Sequence, residues 1–431
     1  MTHVFLNGLG ANAGAGLTYL YNVVPRLASQ GIQTTLALQS HLRREFQGFE
    51  KINLLDIPVP RGTLARFWFE QAKLPALIRE SEADVLLSAG NFAIRRSPVP
   101  QILLSGNSLY TSKAFYRDLL RRREYRMWMA TRVRGYFARK SVHWADCTVA
   151  PTKAFAGELE RWTGKHIEAV HHGFEENIFF SDDSPLPNGM RQKLTVAASC
   201  LKLLFVSHYN YYRNFETLFR GIAILRERMP KAQVRLFLTC MLADQQTPGA
   251  YKTHRAARLI QQLGIREEVV ELGAVPYPLL HNVYRACDVY LTAAYAETFA
   301  HPLVEAMACG LPIVASDLPV HREVCGHSAE YFSRFSPTEL ADALLKQLQH
   351  EPGALKKSEH RFSWQNHVEE IVALAASVSG DSHTVRAARC ISPPPGSDQR
   401  ELAHQEAQSG RAHLNASTYD ECGSSGESFA S

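Results

Sequence analysis

The 431-residue sequence has no run of about 18 or more apolar side chains, which excludes a membrane-spanning helix. Cysteine is sparse: there are eight, with no regular spacing and no C-x-x-C pair. Neither a disulfide framework nor a paired-thiol metal site follows from that pattern. Cys200, Cys240, Cys287, Cys309 and Cys325 lie in or beside apolar runs, where a free thiol acts as a small hydrophobe, and a reduced, cytoplasmic setting is expected. Met1-Thr-His-Val-Phe-Leu6 shows no charged leader or cleavage site and passes straight into a strand, so no signal peptide is expected. No Asp-x-Asp follows a strand, and there is no Walker loop, no Gly-x-Ser-x-Gly elbow and no zinc-hydrolase motif. The expectation is chemistry without a metal and without a bound cofactor.

What remains is a chain of ordinary globular composition, long enough for two to three domains. Its net charge of +5 is uneven: residues 1–175 carry 23 Lys and Arg against 14 Asp and Glu, leaving the rest acidic. Short apolar strands alternate with helical segments. Val4-Phe-Leu6 precedes a Gly-rich turn (Gly8, Gly10, Gly14, Gly16) and a helix from Leu17 to Ala28. Strands at 34–38, 84–87, 101–104 and 147–150 keep the same rhythm. A second series starts at Leu203 and runs through 234–238, 269–272, 288–291 and 313–315. Two such series predict two Rossmann-like α/β domains, each a doubly wound parallel sheet, facing a cleft. The expected divisions are residues 1–180, a linker at 181–198 rich in Pro, Asp and Ser, and a second domain at 199–350. A terminal helix at 363–378 is expected to return to the first domain. Residues 379–431 have too few apolar side chains to build a core and are expected to be disordered.

The richest segment is Glu297-Thr-Phe-Ala-His-Pro-Leu-Val-Glu305. A buried strand (Asp288-Val-Tyr-Leu-Thr292) precedes it. Pro302 suits the first turn of a helix, which Gly310 and Pro312 then stop before the next strand, Ile313-Val-Ala315. A helix N-terminus beside two carboxylates offers amides to a phosphate and acceptors to a vicinal diol. Phosphate plus ribose is what a nucleotide-sugar presents.

Together with Cys287-Asp-Val and Ala306-Met-Ala-Cys-Gly-Leu-Pro-Ile-Val-Ala-Ser316, this segment resembles the E-x7-E signature of the retaining, family 4 (group 1) glycosyltransferases of GT-B architecture. The resemblance spans roughly residues 1–378. It implies that Glu305 binds the ribose hydroxyls and that Glu297 lies by the donor sugar, where it stabilises charge developing at the anomeric carbon. Thr298, Phe299, Ala300, His301, Leu303 and Val304 are the implied donor contacts between and beside them. Where the family usually has Gly, this chain has Thr298 and Ala300, which suit the turn only if its backbone keeps φ negative. Val206-Ser-His-Tyr-Asn-Tyr-Tyr-Arg213 resembles the family's diphosphate-clamping loop. Arg213 takes the usual Lys position as a catalytic cation, and His208 stands where an Arg is usual. Gly14 and Gly16 resemble the first-domain loop that approaches the donor phosphate or the acceptor, and Val275, in Leu272-Gly-Ala-Val-Pro276, resembles a base contact. On the acceptor side the resemblance points to Gly173, in Val170-His-His-Gly-Phe174, with one of His171 and His172 packed and the other facing the cleft. Ser105-Gly-Asn-Ser108 holds no His where many relatives have one, leaving Asn107 to supply hydrogen bonds.

The implied activity is transfer of a sugar from a nucleoside-diphosphate sugar to a glycan or lipid-linked acceptor, in cell-surface polysaccharide or glycolipid synthesis. The missing first-domain His and His208 in place of Arg keep open a catalytically silent protein that binds a nucleotide-sugar or partner, and a GT-B enzyme of different chemistry, such as a nucleotide-sugar epimerase, is a second alternative. From Phe115 to Lys140, nine cations (Arg117, Arg121, Arg122, Arg123, Arg126, Arg132, Arg134, Arg139, Lys140) face only Asp118 and Glu124, with Tyr116, Trp128, Tyr136 and Phe137 interleaved. A basic helix of this kind suits an anionic membrane at about 1 kcal/mol per cation; an anionic acceptor and a solvated face packed through its aromatics are the other readings. The corresponding location is cytoplasmic, peripheral on the inner face of the membrane. No nucleic-acid-binding signature is present.

Overall fold

A computed structural model describes residues 2–11, 15–196, 199–242, 251–349 and 362–380. The tail expected to be disordered lies outside these, apart from Ser379 and Gly380. Each half is a twisted sheet whose strands all run parallel. The first sheet comprises β1 (Val4–Asn7), β2 (Thr34–Leu38), β3 (Ile52–Asp56), β4 (Val85–Ala89), β5 (Gln101–Leu104), β6 (Cys147–Ala150) and β7 (Glu168–Ala169), in the order β3-β2-β1-β4-β5-β6-β7. The second comprises β8 (Leu201–Phe205), β9 (Val234–Leu238), β10 (Val269–Glu271), β11 (Val289–Thr292), β12 (Ile313–Ser316) and β13 (Ala329–Phe332), in the order β10-β9-β8-β11-β12-β13. The central strands are short and apolar because helices cover both faces. Leu6 of β1 sits between Leu36 and Leu87, and Leu291 of β11 faces Val314. This is the GT-B arrangement of two Rossmann-like domains.

In a doubly wound sheet, ligands bind beyond the carboxyl ends of the strands where the strand order reverses. Here the reversals fall between β1 and β4 and between β8 and β11. The chain that follows those strands comprises the Gly8–Ala11 turn, Gly90-Asn91, the loop 206–214 and the turn 293–300. The topology thus delivers the Arg213 loop and the Glu297 turn to one point.

Two connections depart from the expected division of the chain. The linker region carries a short helix, Asn188–Val196, with Leu194 buried. The basic stretch is two helices, Lys113–Arg121 and Tyr125–Trp144, broken at Arg123, whose backbone is left-handed (φ 60°). It does not lie as one helix on a surface: Phe115 and Leu119 are buried in the second domain's core with Tyr209, Tyr211 and Phe215. Arg122 follows them in, its side chain 3% exposed between Asp118 and Glu216 and 4.2 Å from the Tyr211 ring. Burial works against its charge, but the two carboxylates outweigh that and hold the guanidinium above its usual range.

The terminal helix, Trp364–Ser379, starts at Ser363, whose hydroxyl accepts from the amides of Gln365 and Asn366, and stops at Gly380 with φ 82°. Trp364, Val368, Ile371 and Ala375 pack into the first domain's core beside Val4, Leu6, Leu20 and Val24. Among the described residues, no helix is long and apolar enough to cross a membrane.

Candidate active site

The two strand-order reversals open onto a cleft of about 460 Å³ lined from both domains. On the second-domain wall, the turn Tyr211–Arg213 precedes Asn214 in the left-handed conformation (φ 58°), and Arg213 is directed onto Glu297, with which it forms a hydrogen-bonded ion pair. The other Glu297 oxygen accepts from the Thr298 amide at 3.2 Å. Burial disfavours the Arg213 charge, but Glu297 and the phenols of Tyr212 and Tyr290 more than compensate, so its proton is held more tightly than usual. Its Nε is buried without a protein partner.

Ala300 has φ 67° and ψ 60° and forms the N-cap of the helix His301–Ala308. The negative φ expected here is not observed. The Glu297 turn must reverse direction in a few residues to enter the helix, and the left-handed cap does this at a cost of about 1–2 kcal/mol for a residue with a Cβ. Asn91, at the far wall, is also left-handed (φ 66°), and its side-chain oxygen accepts from the Gly106 amide at 2.8 Å. Three non-glycine residues at or beside this cleft, Asn91, Asn214 and Ala300, are therefore held in a sparsely populated conformation.

Glu297, Arg213, Thr298, Phe299, Ala300, His301, Gly16 and Asn107 line the cleft together. Other expected contacts are placed elsewhere. His208 is exposed and away from the lining. Leu303 and Val304 are core side chains, and the Leu303 amide already donates to the Ala300 carbonyl at 3.0 Å; their side chains are not donor contacts. Val275 packs at the edge of the same core. Gly173 does not face the cleft: a Cβ there would collide with the Trp364 backbone, because the chain entering the terminal helix crosses directly over it. Phe174 donates its amide to the Phe362 carbonyl at that crossing. Of the adjacent histidines, His172 lines the cleft and His171 turns away to Glu323, 2.7 Å distant. Gly14 lies outside the described residues.

Glu305 is 4% exposed and sits behind the cleft wall, accepting a 2.8 Å hydrogen bond from Tyr284, whose hydroxyl also reaches the Pro302 carbonyl. Burial pushes this carboxyl up to about 7, the Tyr284 hydrogen bond only partly opposing it. Near neutrality Glu305 is therefore divided between its acid and carboxylate forms.

Contacts across the cleft hold the halves close. Thr152 Oγ1 donates to the Thr298 carbonyl at 2.8 Å, and Glu323 accepts from the amides of Lys153 and Ala154 at 2.8 and 2.6 Å. Burial alone would raise the Glu323 carboxyl, but His171 and those two amides hold it below its usual range. Sequence reasoning missed Tyr19, Tyr212, Tyr251 and His367, which also line the cleft. In the sequence each reads as an ordinary member of a helix or loop. Among the described residues, no three His, Cys, Asp or Glu side chains are grouped to hold a metal ion.

The comparisons follow this division of the chain. The model for glycosyl transferases group 1 matches residues 190–366, and that for glycosyltransferase family 4 matches residues 16–177. The chain belongs to the group 1, family 4 glycosyltransferases. Among curated glycosyltransferase-family relatives, D-inositol 3-phosphate glycosyltransferase of Thermobispora bispora is 26% identical over 73% of this chain and 77% of its own length. Mannosylfructose-phosphate synthase of Agrobacterium fabrum is 25% identical over 49% of this chain, which spans about half (47%) of that relative. Two solved structures share the family fold. Sucrose-phosphate synthase from Thermosynechococcus elongatus has a TM-score of 0.65 at 17% identity, covering 90% of this chain and all of that one. Anabaena HepE in complex with UDP and glucose has a TM-score of 0.62 at 18% identity, covering 88% and 100%.

Proposed function

We propose that this chain is a retaining glycosyltransferase that moves a sugar from a nucleoside-diphosphate sugar to a hydroxyl of a glycan or lipid-linked acceptor, in cell-surface polysaccharide or glycolipid synthesis. The observation that carries the reading is the Arg213–Glu297 pair at the strand-order reversal of the second sheet, directly beside the left-handed entry to the helix His301–Ala308. As the bond between the anomeric carbon and the diphosphate breaks, the departing diphosphate gains negative charge and the sugar gains positive charge. Arg213 is positioned for the first and Glu297 for the second. The acceptor hydroxyl attacks from the face the diphosphate leaves, a diphosphate oxygen takes its proton, and configuration is retained. Glu305, when ionised, accepts from the ribose hydroxyls. These steps use Arg213, Glu297 and Glu305 together with the donor's own diphosphate and call for no metal ion.

A lipid-linked acceptor is supported by a second groove of about 430 Å³ on the first domain. Trp68 and Tyr136, 59% and 58% exposed, lie there beside Arg95, Arg96 and Lys140. Aromatic rings flanked by cations suit a peripheral position on an anionic leaflet. Replacing Arg95, Arg96 and Lys140 together by Ala should then reduce sedimentation with phosphatidylglycerol vesicles several-fold; undiminished sedimentation would remove the membrane from the proposal.

The decisive assay is a binding and hydrolysis screen against UDP-, GDP- and ADP-sugars with Glu305→Ala as control. One donor bound at micromolar concentration and lost in the variant is the expected result. Donor binding without transfer or hydrolysis would favour the silent-binding alternative, to which the exposed position of His208, outside the cleft lining, lends support. Conversion of donor alone, without acceptor, would favour an epimerase.

A further inference from the structure

The first-domain wall of the cleft carries a hydrogen-bond chain with a fixed direction. His367, on the terminal helix and 1% exposed, places Nδ1 2.9 Å from the carbonyl oxygen of His171 and Nε2 3.2 Å from the hydroxyl of Tyr19. A carbonyl oxygen can only accept, so the ring proton sits on Nδ1. Burial pushes His367 down to about 4, which keeps the ring neutral at physiological pH. Nε2 is then a bare lone pair, and Tyr19 must donate to it. Tyr19 has one proton, and this contact commits it inward. Burial also holds the phenol well above its usual range, so no phenolate forms. Seen from the cleft, which Tyr19 lines, its oxygen presents lone pairs only.

We propose that Tyr19 is a specificity residue for the acceptor: its oxygen receives a hydrogen bond from a hydroxyl of a neutral polyol, a sugar or cyclitol, and disfavours a phosphate or carboxylate at that position. The proposal rests on the transferase reading above and narrows its acceptor. Two further observations describe the surroundings of that oxygen, the first from the second-domain helix His301–Ala308 that faces this wall. His301 Nε2 is buried in the cleft without a protein partner. His172 stands between the two, its ring centroid 5.9 Å from Tyr19 and 5.7 Å from His301. Burial lowers the pKa of both imidazoles, His301 to about 4, with Glu297 opposing only weakly in that case. The surroundings of Tyr19 therefore offer neutral polar groups from both domains and no cation. Among the described cleft-lining residues the one guanidinium is Arg213, already paired with Glu297 on the second-domain wall. The match is to a hydroxyl that donates to Tyr19 and exchanges further hydrogen bonds with the imidazoles. An anionic oxygen has no proton for Tyr19 and no charge partner beside it.

The test uses the full-length protein with UDP, GDP and ADP tried in turn. Calorimetry and saturation-transfer NMR compare myo-inositol and glucose with myo-inositol 1-phosphate and glucose 6-phosphate in the diphosphate-bound state. A neutral polyol should bind more tightly than its phosphate ester. Tyr19→Phe should weaken that polyol by about three- to tenfold, the worth of one hydrogen bond, and leave diphosphate affinity unchanged. His367→Gln, which keeps an acceptor atom toward Tyr19, should retain most of the polyol affinity. Tighter binding of a phosphate ester would overturn the proposal, as would equal polyol affinity in Tyr19→Phe, or no polyol binding while a diphosphate still binds. Failure of all three diphosphates to bind would instead remove the transferase reading and the proposal with it. Independently, a long-range proton–nitrogen spectrum of nitrogen-15 histidine should show one ring, absent in His367→Gln, protonated at Nδ1 and bare at Nε2. The opposite tautomer would refute the argument at its root.

Discussion

Replacing Glu305 by glutamine should make the fold more stable relative to wild type as pH rises and weaken donor binding in alkaline solution. An unfolded-chain glutamate ionises near 4.5, whereas the buried Glu305 does so at about 7. Its pKa is raised on folding, so the unfolded chain releases the proton first, and stability falls as pH rises from about 4.5 through 7. Integrated over that interval the loss is about 3 kcal/mol, most of it accumulated by pH 8. The amide in Glu305→Gln does not titrate, so the variant escapes the loss. Its fixed packing and hydrogen-bond cost is the same at every pH and cancels in a comparison. Urea denaturation at pH 5 and pH 8 should therefore show the variant's stability relative to wild type improving by about 2–3 kcal/mol between the two pH values, with unchanged m-values. A change below about 0.5 kcal/mol would mean that Glu305 is not a raised, buried acid. Donor affinity should move the opposite way. A carboxylate accepts from both hydroxyls of a diol, whereas an amide accepts with one atom only, so the variant should bind donor about tenfold or more weakly. The same titration should make wild-type donor affinity rise between about pH 6 and 8.

Four further outcomes follow from the geometry. Glu297→Ala should lower turnover well over tenfold, and Arg213→Ala should weaken nucleotide-sugar binding; near-normal turnover or unchanged donor affinity in steady-state and calorimetric measurements would remove the respective residue from the mechanism. Ala300→Gly relieves the left-handed strain at φ 67° and adds freedom to the unfolded chain, so thermal or urea unfolding should show a net stabilisation of about 0.5–1 kcal/mol; a destabilised variant would contradict the strain. Arg122→Ala removes the buried cation shared by Asp118 and Glu216 and leaves them only the exposed Arg121 as a cation, so it should cost about 3 kcal/mol, the low end for a broken buried pair, whereas a loss under about 1 kcal/mol would show that Arg121 and solvent take its place.

The sheets were legible because each central strand is a four- or five-residue apolar run between turn residues, a pattern that local chemistry largely determines. The same holds for the Glu297 turn and the Arg213 loop, whose positions follow from standing after β11 and β8. Illegible features depended on what another part of the chain does. Gly173 reads as a cleft glycine until the terminal helix is seen crossing it. Tyr19, His172 and His367 come from three distant segments, and nothing in any one of them reveals that they share a wall. The φ of Ala300 reflects the path required between β11 and its helix, and the residue's own preference gives no hint of it. The basic stretch misled for a related reason: charge counting did not distinguish arginines bound for solvent from Arg122, which enters the second domain.

That last feature bears on how the halves can be separated. By chain order the helix Lys113–Arg121 is part of the first domain, but it fills a socket formed by Tyr209, Tyr211 and Phe215 in the second. A truncation that kept only the second half would empty that socket and expose its aromatic lining to water. A chimera that exchanged the first half for a relative's would have to supply a plug of the same shape and a cation for Glu216. The unit that can be inherited or transplanted intact is thus the second half together with a helix encoded far upstream of it.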